Sequence, residues 1–150
     1  MSNEQFSMLL ALVKCFSKKN IRLPLMGESS IFDVVSKSTK DTFYLDVDRR
    51  GRIELKVKVQ MRDAVSKFPL VRIDLNSPRH MNPDGRRVSR NHIHLYRETE
   101  YDTGSLPWAY ELSEVDEIFA GDANNPDFMQ VFYHFCQFCN IETYDIQGVI

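Results

Sequence analysis

The chain has 150 residues, 43% of them hydrophobic, which is typical of a single globular domain with a hydrophobic core (1–150). The apolar run at residues 8–13 is far too short to span a membrane, and Glu4 stands where a secretory signal would carry positive charge. Three cysteines are an odd number, which excludes a complete disulfide framework. We therefore expect a soluble, cytoplasmic protein with reduced thiols and no membrane partner.

The formal net charge of −2 conceals an uneven distribution along the chain. Residues 1–97 carry all 19 lysines and arginines against 10 acidic residues, whereas residues 98–150 carry 11 acidic residues and no lysine or arginine. Either the acidic C-terminal segment packs against a basic sheet and neutralises it, or the basic part presents a surface to phosphates or to an acidic protein. Both interpretations stay open at this point.

A helix is predicted over residues 3–19, and Ser2 together with Gln5 forms a capping box at its N-terminus. Its apolar positions follow helical spacing: Phe6, Leu9, Leu10, Val13 and Phe16. The stretch 21–41 is irregular, although residues 31–35 could add one helical turn.

From residue 43 the period of the hydrophobic pattern changes to two, which is typical of strands. Two alternating runs flank Arg49, Arg50 and Gly51 and predict a hairpin with one buried face, made by Phe43, Leu45, Val47, Ile53, Leu55, Val57 and Val59. Further strands are predicted at about 67–76, 91–98 and, more weakly, 108–112.

Two helices are predicted near the C-terminus. Ser113 can cap a short one that reaches about residue 119, and Asn125 with Pro126 can begin the second. The second helix carries one apolar stripe, Phe128, Val131, Phe132, Phe135, Phe138 and Cys139. Cys136 and Cys139 are therefore interpreted as core and not as a redox or zinc motif. The predicted fold is α+β, an antiparallel meander of about five strands with the N-terminal helix and both C-terminal helices on one face.

The stretch 79–98 is the most unusual part of the sequence, because it holds three of the four histidines. His92 and His94 lie two residues apart on a predicted strand and share one face. If the apolar residues of this strand oppose those of the preceding one, Asp74 lies opposite a histidine. We expect the resulting polar face to look into water and to carry Arg72, Asp74, His92, His94, Tyr96 and Glu98.

The connection between these two strands decides the register. A tight turn on residues 82–85, counted strictly, would pair Ile73 with His94 and bury the imidazoles. That register would cost several kcal/mol, taking roughly 1.5 to 3 kcal/mol per large apolar side chain. We therefore expect a bulge or a wider loop over residues 77–90, which would hang over the end of the polar face.

Metal binding is one chemistry that fits these residues. His92 and His94 can converge on one ion, with His80 or Asp74 as third ligand and with Glu98 or Asp74 orienting a ring. Such histidine pairs are common, and a purely hydrogen-bonding role is the favoured interpretation. We predict no cofactor, with His92, His94 and Asp74 as the candidate ligands if there is a metal.

Metal-independent cleavage of a phosphodiester is a second chemistry. His92 or His94 would be the general base, and the other histidine or His80 the general acid. Arginines of the loop would stabilise the doubly charged transition state, while Tyr96 and Arg97 would orient the substrate.

Binding without catalysis is the third possibility. Five arginines, interleaved with histidines and Tyr96, are typical of an RNA or DNA contact, and the same patch could dock an acidic protein. A solvated loop without a partner is the competing interpretation. The candidate binding residues are Arg72, Asp74, Arg79, Arg86, Arg87, Arg90, Tyr96, Arg97, Glu98 and Trp108.

Three segments resemble a known family. Residues 78–85 (PRHMNPDG), 92–98 (HIHLYRE) and 108–110 (WAY) resemble the motifs P-H-x-N-P-D-G, H-L-H-x-Y-R-E and W-A of small bacterial and prophage proteins of unknown function. The resemblance covers about residues 42–140 and implies no activity. Arg79 interrupts the Pro-His step, and residues 99–107 form a longer connection than the family's, which puts closure of Trp108 over the histidines in doubt.

The resemblance favours a mobile-element setting, in which small proteins often inhibit a host nucleoprotein complex or act as toxins. Together, these observations predict a protein that binds nucleic acid, or a host protein or nucleoprotein complex, through the basic, histidine-rich hairpin at residues 77–98, as an inhibitor. The first alternative is a metal-independent ribonuclease of toxin type, and the second is a metal-dependent hydrolase at the same histidines.

Overall fold

A computed structural model describes residues 1–51, 55–100 and 104–149. The helices in this part of the chain are α1 (Asn3–Ala11), α2 (Leu112–Val115) and α3 (Phe128–Phe138), with a 3-10 helix at Glu117–Phe119. The strands are β1 (Lys14–Phe16), β2 (Ile21–Leu23), β3 (Ser29–Ser36), β4 (Thr42–Asp48), β5 (Val57–Asp63), β6 (Pro69–Leu75), β7 (His80–Met81), β8 (Arg87–Val88), β9 (His92–Leu95), β10 (Ala109–Glu111) and β11 (Ile146–Val149).

Seven strands form one antiparallel sheet in the order β1-β3-β4-β5-β6-β9-β10. Strands β7 and β8 make a small separate ribbon, and β2 pairs in parallel with β11. The mixed α+β fold and the antiparallel sheet are confirmed. The expected count of about five strands is too low, because β1 and β3 arise from a stretch that was predicted to be helical or irregular.

Helix α1 begins as predicted but ends eight residues early. The capping box is present, with the backbone N–H of Gln5 donating to Ser2 Oγ at 3.0 Å. Beyond Leu12 the chain becomes β1, which pairs Phe16 with Val34 of β3. The prediction to residue 19 is wrong because the buried Phe16 fits the helical spacing and the strand equally well.

Strand β3 could not be recognised from its hydrophobic pattern. Its N-terminal half exposes an aliphatic residue, Ile31, whose exposed fraction is 66%, while Val34 is fully buried. The regular alternation that identifies a half-buried strand is therefore absent. Pairing with β4, which places Phe32 opposite Leu45, determines the conformation instead.

The predicted hairpin of β4 and β5 is confirmed, although its connection is longer than expected. Leu45 lies opposite Met61 and Val47 opposite Val59, all four of them buried. Strand β5 begins at Val57, so that Leu55 precedes it, partly buried against the core. The predicted strand residue Ile53 lies outside the described residues.

The two C-terminal helices begin at other caps than predicted. The short helix α2 starts after Glu111 and not after Ser113. Helix α3 starts after Asp127, whose carboxylate accepts the N–H of Gln130 at 3.1 Å, and not at Asn125 and Pro126. At α3 the correction arises because the carboxylate of Asp127 satisfies one of the first free N–H groups, whereas at α2 the carboxylate of Glu114 reaches back to accept the N–H of Glu111 at 2.8 Å.

The apolar stripe of α3 packs into the core as predicted. Helices α1 and α3 share one buried cluster with the apolar faces of the strands. Cys136 and Cys139 are fully buried in it, and burial raises the pKa of both thiols, that of Cys139 to about 12. In the described part of the chain, no helix has the length and apolar character to cross a membrane.

Candidate functional site

Strands β6 and β9 pair in the register that the apolar pattern predicts. Ile73 lies opposite Ile93, which places Asp74 opposite His92 and Arg72 opposite His94. Because opposed residues point to the same face of a sheet, Arg72, Asp74 and the two histidines lie together on the face opposite to Ile73.

The wide connection between β6 and β9 explains why the register does not slip. Residues 76–91 form it, and the tight turn at 82–85 belongs to the separate ribbon of β7 and β8. Asn76, with φ 53°, leaves the strand, and its backbone N–H donates to the side chain of Asn91 at 2.8 Å. The expected shift of parity in the loop is thus confirmed.

The expectation that the imidazoles look into water is wrong. His92 and His94 are each 1% exposed and Asp74 is 4% exposed. The ribbon of β7 and β8 and the segment 104–108 cover them, since His80 and Leu106 both contribute atoms that touch this cluster. The sequence predicted a loop over the end of the polar face but not one that covers the imidazole rings.

A side-chain amide attaches this cover to the sheet. Asn82 is buried, and its Nδ2 donates to the carbonyl of Ala109 at 2.9 Å while its Oδ1 accepts the N–H of Ala109 at 2.8 Å. The amide thus imitates a neighbouring strand at the edge strand β10. The Asn-Pro-Asp-Gly turn and the Trp-Ala step, which the sequence offers as separate motifs, are in direct contact.

Backbone carbonyls fix one ring nitrogen of each histidine. Nδ1 of His92 lies 2.6 Å from the Ser89 oxygen, Nδ1 of His94 lies 2.7 Å from the Leu106 oxygen, and Nε2 of His80 lies 2.7 Å from the Pro107 oxygen. A carbonyl oxygen can only accept, so each of these nitrogens carries its proton. The Nε2 atoms of His92 and His94 are left facing Asp74 Oδ2, at 3.2 Å each.

Arg72 completes the cluster. Its Nε and Nη2 donate to the two oxygens of Asp74 at 3.0 and 3.2 Å, and Nη2 also lies 3.1 Å from Nε2 of His94. A guanidinium cannot accept, so Nε2 of His94 offers its lone pair and this ring is neutral.

The electrostatics of the cluster follow from burial and from these contacts. Burial alone would raise the pKa of Asp74, but its contacts with His92 and the charge of Arg72, which donates to both carboxylate oxygens, outweigh burial and hold that pKa far below its usual range. Burial, helped by the Arg72 charge, lowers the pKa of His94 against the opposing effect of Asp74. Asp74 is therefore a carboxylate at any ordinary pH.

These side chains line a pocket of about 310 Å³. Its lining includes the three histidines of the cluster together with four cationic side chains, Lys56, Lys58, Arg72 and Arg79. Among the described lining residues, Asp74 is the single carboxylate. Lys56 and Lys58 were not predicted as site residues, although their alternation with Leu55 and Val57 in the sequence is a signal that could have found them; Lys58 lies on β5 opposite Asp74, and Lys56 just precedes that strand.

Tyr96 and Glu98 do not belong to the polar face on which they were predicted. Strand β9 ends at Leu95, and the ring of Tyr96 packs 5.7 Å from that of Phe6, with its hydroxyl donating to the Met1 carbonyl. Glu98 accepts the N–H of Asn3 at 3.1 Å. Both residues therefore hold the start of α1 against the end of β9.

The remaining predicted arginines lie on the surface around the cover. Arg79, Arg86, Arg87 and Arg90 are all exposed. Arg86 pairs with Glu114 at 2.8 Å, and Arg90 donates to the Ser77 carbonyl at 3.1 Å. Arg97 stacks on the ring of Trp108 at 4.0 Å, while the carbonyls of Leu106 and Pro107, rather than the indole, contact the histidines.

A comparison with protein families matches residues 1–141 to a family described as "Family of unknown function (DUF6978)". The matched residues include the whole seven-stranded sheet and every residue of the pocket. Comparisons with curated proteins and with solved structures found no match.

Proposed function

The chain belongs to this family, whose function is unknown, and we therefore propose a function from the pocket. We propose that the protein binds nucleic acid by contacting the phosphate groups of the nucleic acid. The observation that carries the proposal is the charge of the pocket wall, where Lys56, Lys58 and Arg79 stand around a cluster whose one carboxylate is already paired with Arg72.

The positions of these cations suit phosphate binding. Lys56 and Lys58 are exposed, so they reach a polyanion without first being dehydrated. Arg79 lies on the other wall, with Nε 3.4 Å from the Val88 carbonyl. Arg86 and Arg87, exposed at the far end of the same hairpin, extend the positive surface beyond the pocket, as a chain of successive phosphates requires.

The burial of the histidines favours binding over metal-independent cleavage. An acid–base pair has to reach the reacting oxygens, but His92 and His94 each use Nδ1 on a carbonyl and turn Nε2 to Asp74. Cleavage of RNA in EDTA therefore stays a prediction with less support than binding. The prophage setting, the cytoplasmic location and the inhibitory role likewise stay predictions.

Fluorescence anisotropy with labelled single-stranded RNA, single-stranded DNA and duplex DNA tests the proposal, with EDTA present. We expect micromolar or tighter binding at about 50 mM salt, weakening steeply as salt rises. Lys56→Ala with Lys58→Ala should weaken binding about tenfold or more and reduce the salt slope by about 1 to 2, because two phosphate contacts are lost.

The matched control is Lys18→Ala with Lys19→Ala, which removes the same charge from exposed positions away from the pocket. The control should bind nearly as the unchanged protein does. Equal weakening by both double variants would show that net charge alone attracts the polyanion. Absence of binding to all three nucleic acids, together with a pull-down that survives nuclease treatment, would replace the proposal with a protein partner.

A further inference from the structure

We propose that Asp74, His92 and His94 form a binding site for one divalent transition-metal ion of the zinc class, at the floor of the pocket. Each of the three residues offers one donor atom, and these atoms lie within 4.8 Å of one another. This inference goes beyond nucleic-acid binding and does not depend on it.

The spacing of the donor atoms fits a tetrahedral ion. With metal–ligand bonds of about 2.0–2.2 Å, two ligands of a tetrahedral site stand roughly 3.3 Å apart. Asp74 Oδ2 lies 3.2 Å from Nε2 of His92 and 3.2 Å from Nε2 of His94. Both carboxylate–imidazole distances therefore match a tetrahedral site, while the two Nε2 atoms, which lie within 4.8 Å of each other, have to approach each other by a small rotation of the rings.

The tautomers make the second argument. A neutral imidazole has one N–H, and in His92 the Ser89 carbonyl holds it at Nδ1. The lone pair of Nε2 then points at a carboxylate oxygen, which is repulsive unless a positive charge lies between them. Within residues 1–51, 55–100 and 104–149, no donor contacts this Nε2, so its lone pair is available to a metal ion.

The backbone carbonyls occupy the positions of outer-shell partners. In protein metal sites a ligating histidine usually donates its other N–H to a carbonyl or a carboxylate, which fixes the ring and raises its basicity. His92 and His94 both donate in this way, to Ser89 and to Leu106. Two imidazoles and one carboxylate favour zinc and its neighbours over magnesium or calcium, which prefer oxygen ligands throughout.

Arg72 is the competitor that the ion has to displace. Its Nη2 lies 3.1 Å from Nε2 of His94 and 3.2 Å from Asp74 Oδ2, so the guanidinium already places a positive charge beside two of the three donors. Its side chain is 29% exposed and lines the pocket, so it can withdraw without unfolding the strand. A fourth ligand, such as water or a phosphate oxygen, could take the vacated position.

Other cysteines and histidines of the chain provide the controls. Cys136 and Cys139 are buried, with raised pKa values, and so are poorly suited to bind a metal as thiolates. His134 lies on α3 and pairs with Asp122 at 2.6 Å, and the described residues bring no third ligand to this pair.

Titration of the chelator-treated protein with Co²⁺, followed by Zn²⁺ competition, tests the site. We expect one equivalent per chain, visible absorption of tetrahedral intensity and no thiolate charge-transfer band in the near ultraviolet. His92→Ala and His94→Ala should each weaken binding more than about 100-fold, beyond the roughly 10- to 100-fold effect of losing an outer-shell partner. His134→Ala should leave binding unchanged.

A measurement on the unchanged protein tests the site even if the variants fail to fold. In ¹⁵N spectra of the histidine rings, Zn²⁺ should shift Nε2 of His92 and His94 while their Nδ1 atoms stay protonated. No binding at micromolar Zn²⁺, binding that both site variants retain, or a shift of His134 alone would each overturn the inference. Because nucleic-acid binding is measured in EDTA, its failure would leave a positive result here intact.

Discussion

Lys14 and the pocket cluster are both buried and polar, but their polar atoms are used differently. Lys14 is fully buried, and its Nζ donates to the carbonyls of Leu10, Leu12 and Cys139 at 3.1, 2.8 and 2.8 Å. In the pocket cluster, by contrast, Asp74 and the histidines direct their remaining donor atoms at one another and line a cavity.

This difference separates a buried residue that stabilises the fold from a cluster that is a candidate binding site. Lys14 lies where the C-terminal ends of α1 and α3 approach each other, and its three protons satisfy carbonyls that the helices leave unpaired. Its hydrogen bonds are complete within the chain. In the pocket cluster, Arg72 contacts Asp74 and the lone pair of His94, and the lone pair of His92 faces the carboxylate without a donor among the described residues.

The largest effect on stability is expected from substitution of Lys14, because this variant tests directly whether the buried lysine stabilises the fold. Lys14→Met fills the same space but leaves the buried carbonyls of Leu12 and Cys139 without this donor. We expect a loss of about 3 kcal/mol in the free energy of unfolding, since each buried group left unpaired costs about 1–3 kcal/mol. Urea denaturation measures it, with Lys18→Met as the exposed control. A variant as stable as the unchanged protein would mean that Lys14 is not structural.

The pH dependence of stability is a second test of the role of Lys14. Burial lowers the pKa of Lys14 from 10.5 to about 8. Below pH 8 the amine of Lys14 is protonated in the folded and in the unfolded state, and the folded state carries a buried charge. Between pH 8 and 10.5 the amine loses its proton in the folded state but keeps it in the unfolded state. The stability of the unchanged protein relative to Lys14→Met should therefore rise by about 2 kcal/mol from pH 7 to 10.

The control for this measurement is the difference between the two proteins, because the raised pKa of Cys139 lowers the stability of both above about pH 9. If that difference stays constant with pH, the ammonium of Lys14 is not desolvated in the way the structure indicates.

The sequence predicts the register of the site better than its burial. Pairing of apolar residues decides that Asp74 opposes His92, and this preference depends only on neighbouring strands. Burial of the histidines depends on Asn82 docking on Ala109, which lies 27 residues away along the chain. No periodic pattern encodes that contact, and for this reason the histidines were expected to face solvent.

The secondary structure, too, is predictable only where the hydrophobic pattern is regular. Helix α3 and the β4–β5 hairpin are predictable because their apolar residues repeat at one period throughout. Strand β3 is not, since Ile31 is exposed and only its neighbours make the segment extended. Tyr96 continues the alternation of β9 in the sequence, and its backbone N–H still donates to Leu70 of β6 at 2.9 Å, but its ring packs on Phe6 instead of joining the histidines.

Arg72 offers a smaller effect that separates the two proposals for the pocket. Arg72→Gln removes the cation that competes for Asp74 and His94 while keeping a side chain of similar reach. We expect Zn²⁺ to bind about tenfold more tightly and nucleic acid to bind less tightly in EDTA, because one positive charge is lost from the wall. The Co²⁺ titration and the anisotropy assay measure the two changes. A parallel change in both affinities would show that Arg72 does not compete with a metal.

The smallest effect is expected at the exposed ion pair of Arg86 and Glu114, which joins the basic and the acidic parts of the chain, as the pair of Lys37 and Glu142 also does. Glu114→Gln should change stability by less than about 1 kcal/mol, since exposed pairs contribute little. It should nevertheless tighten nucleic-acid binding about twofold, because Arg86 on the hairpin loses its competing partner. Glu142→Gln makes the same change in net charge beside Lys37. If both variants tighten binding equally in the anisotropy assay, overall charge rather than the hairpin attracts the polyanion, and the uneven charge of the chain serves mainly to neutralise itself.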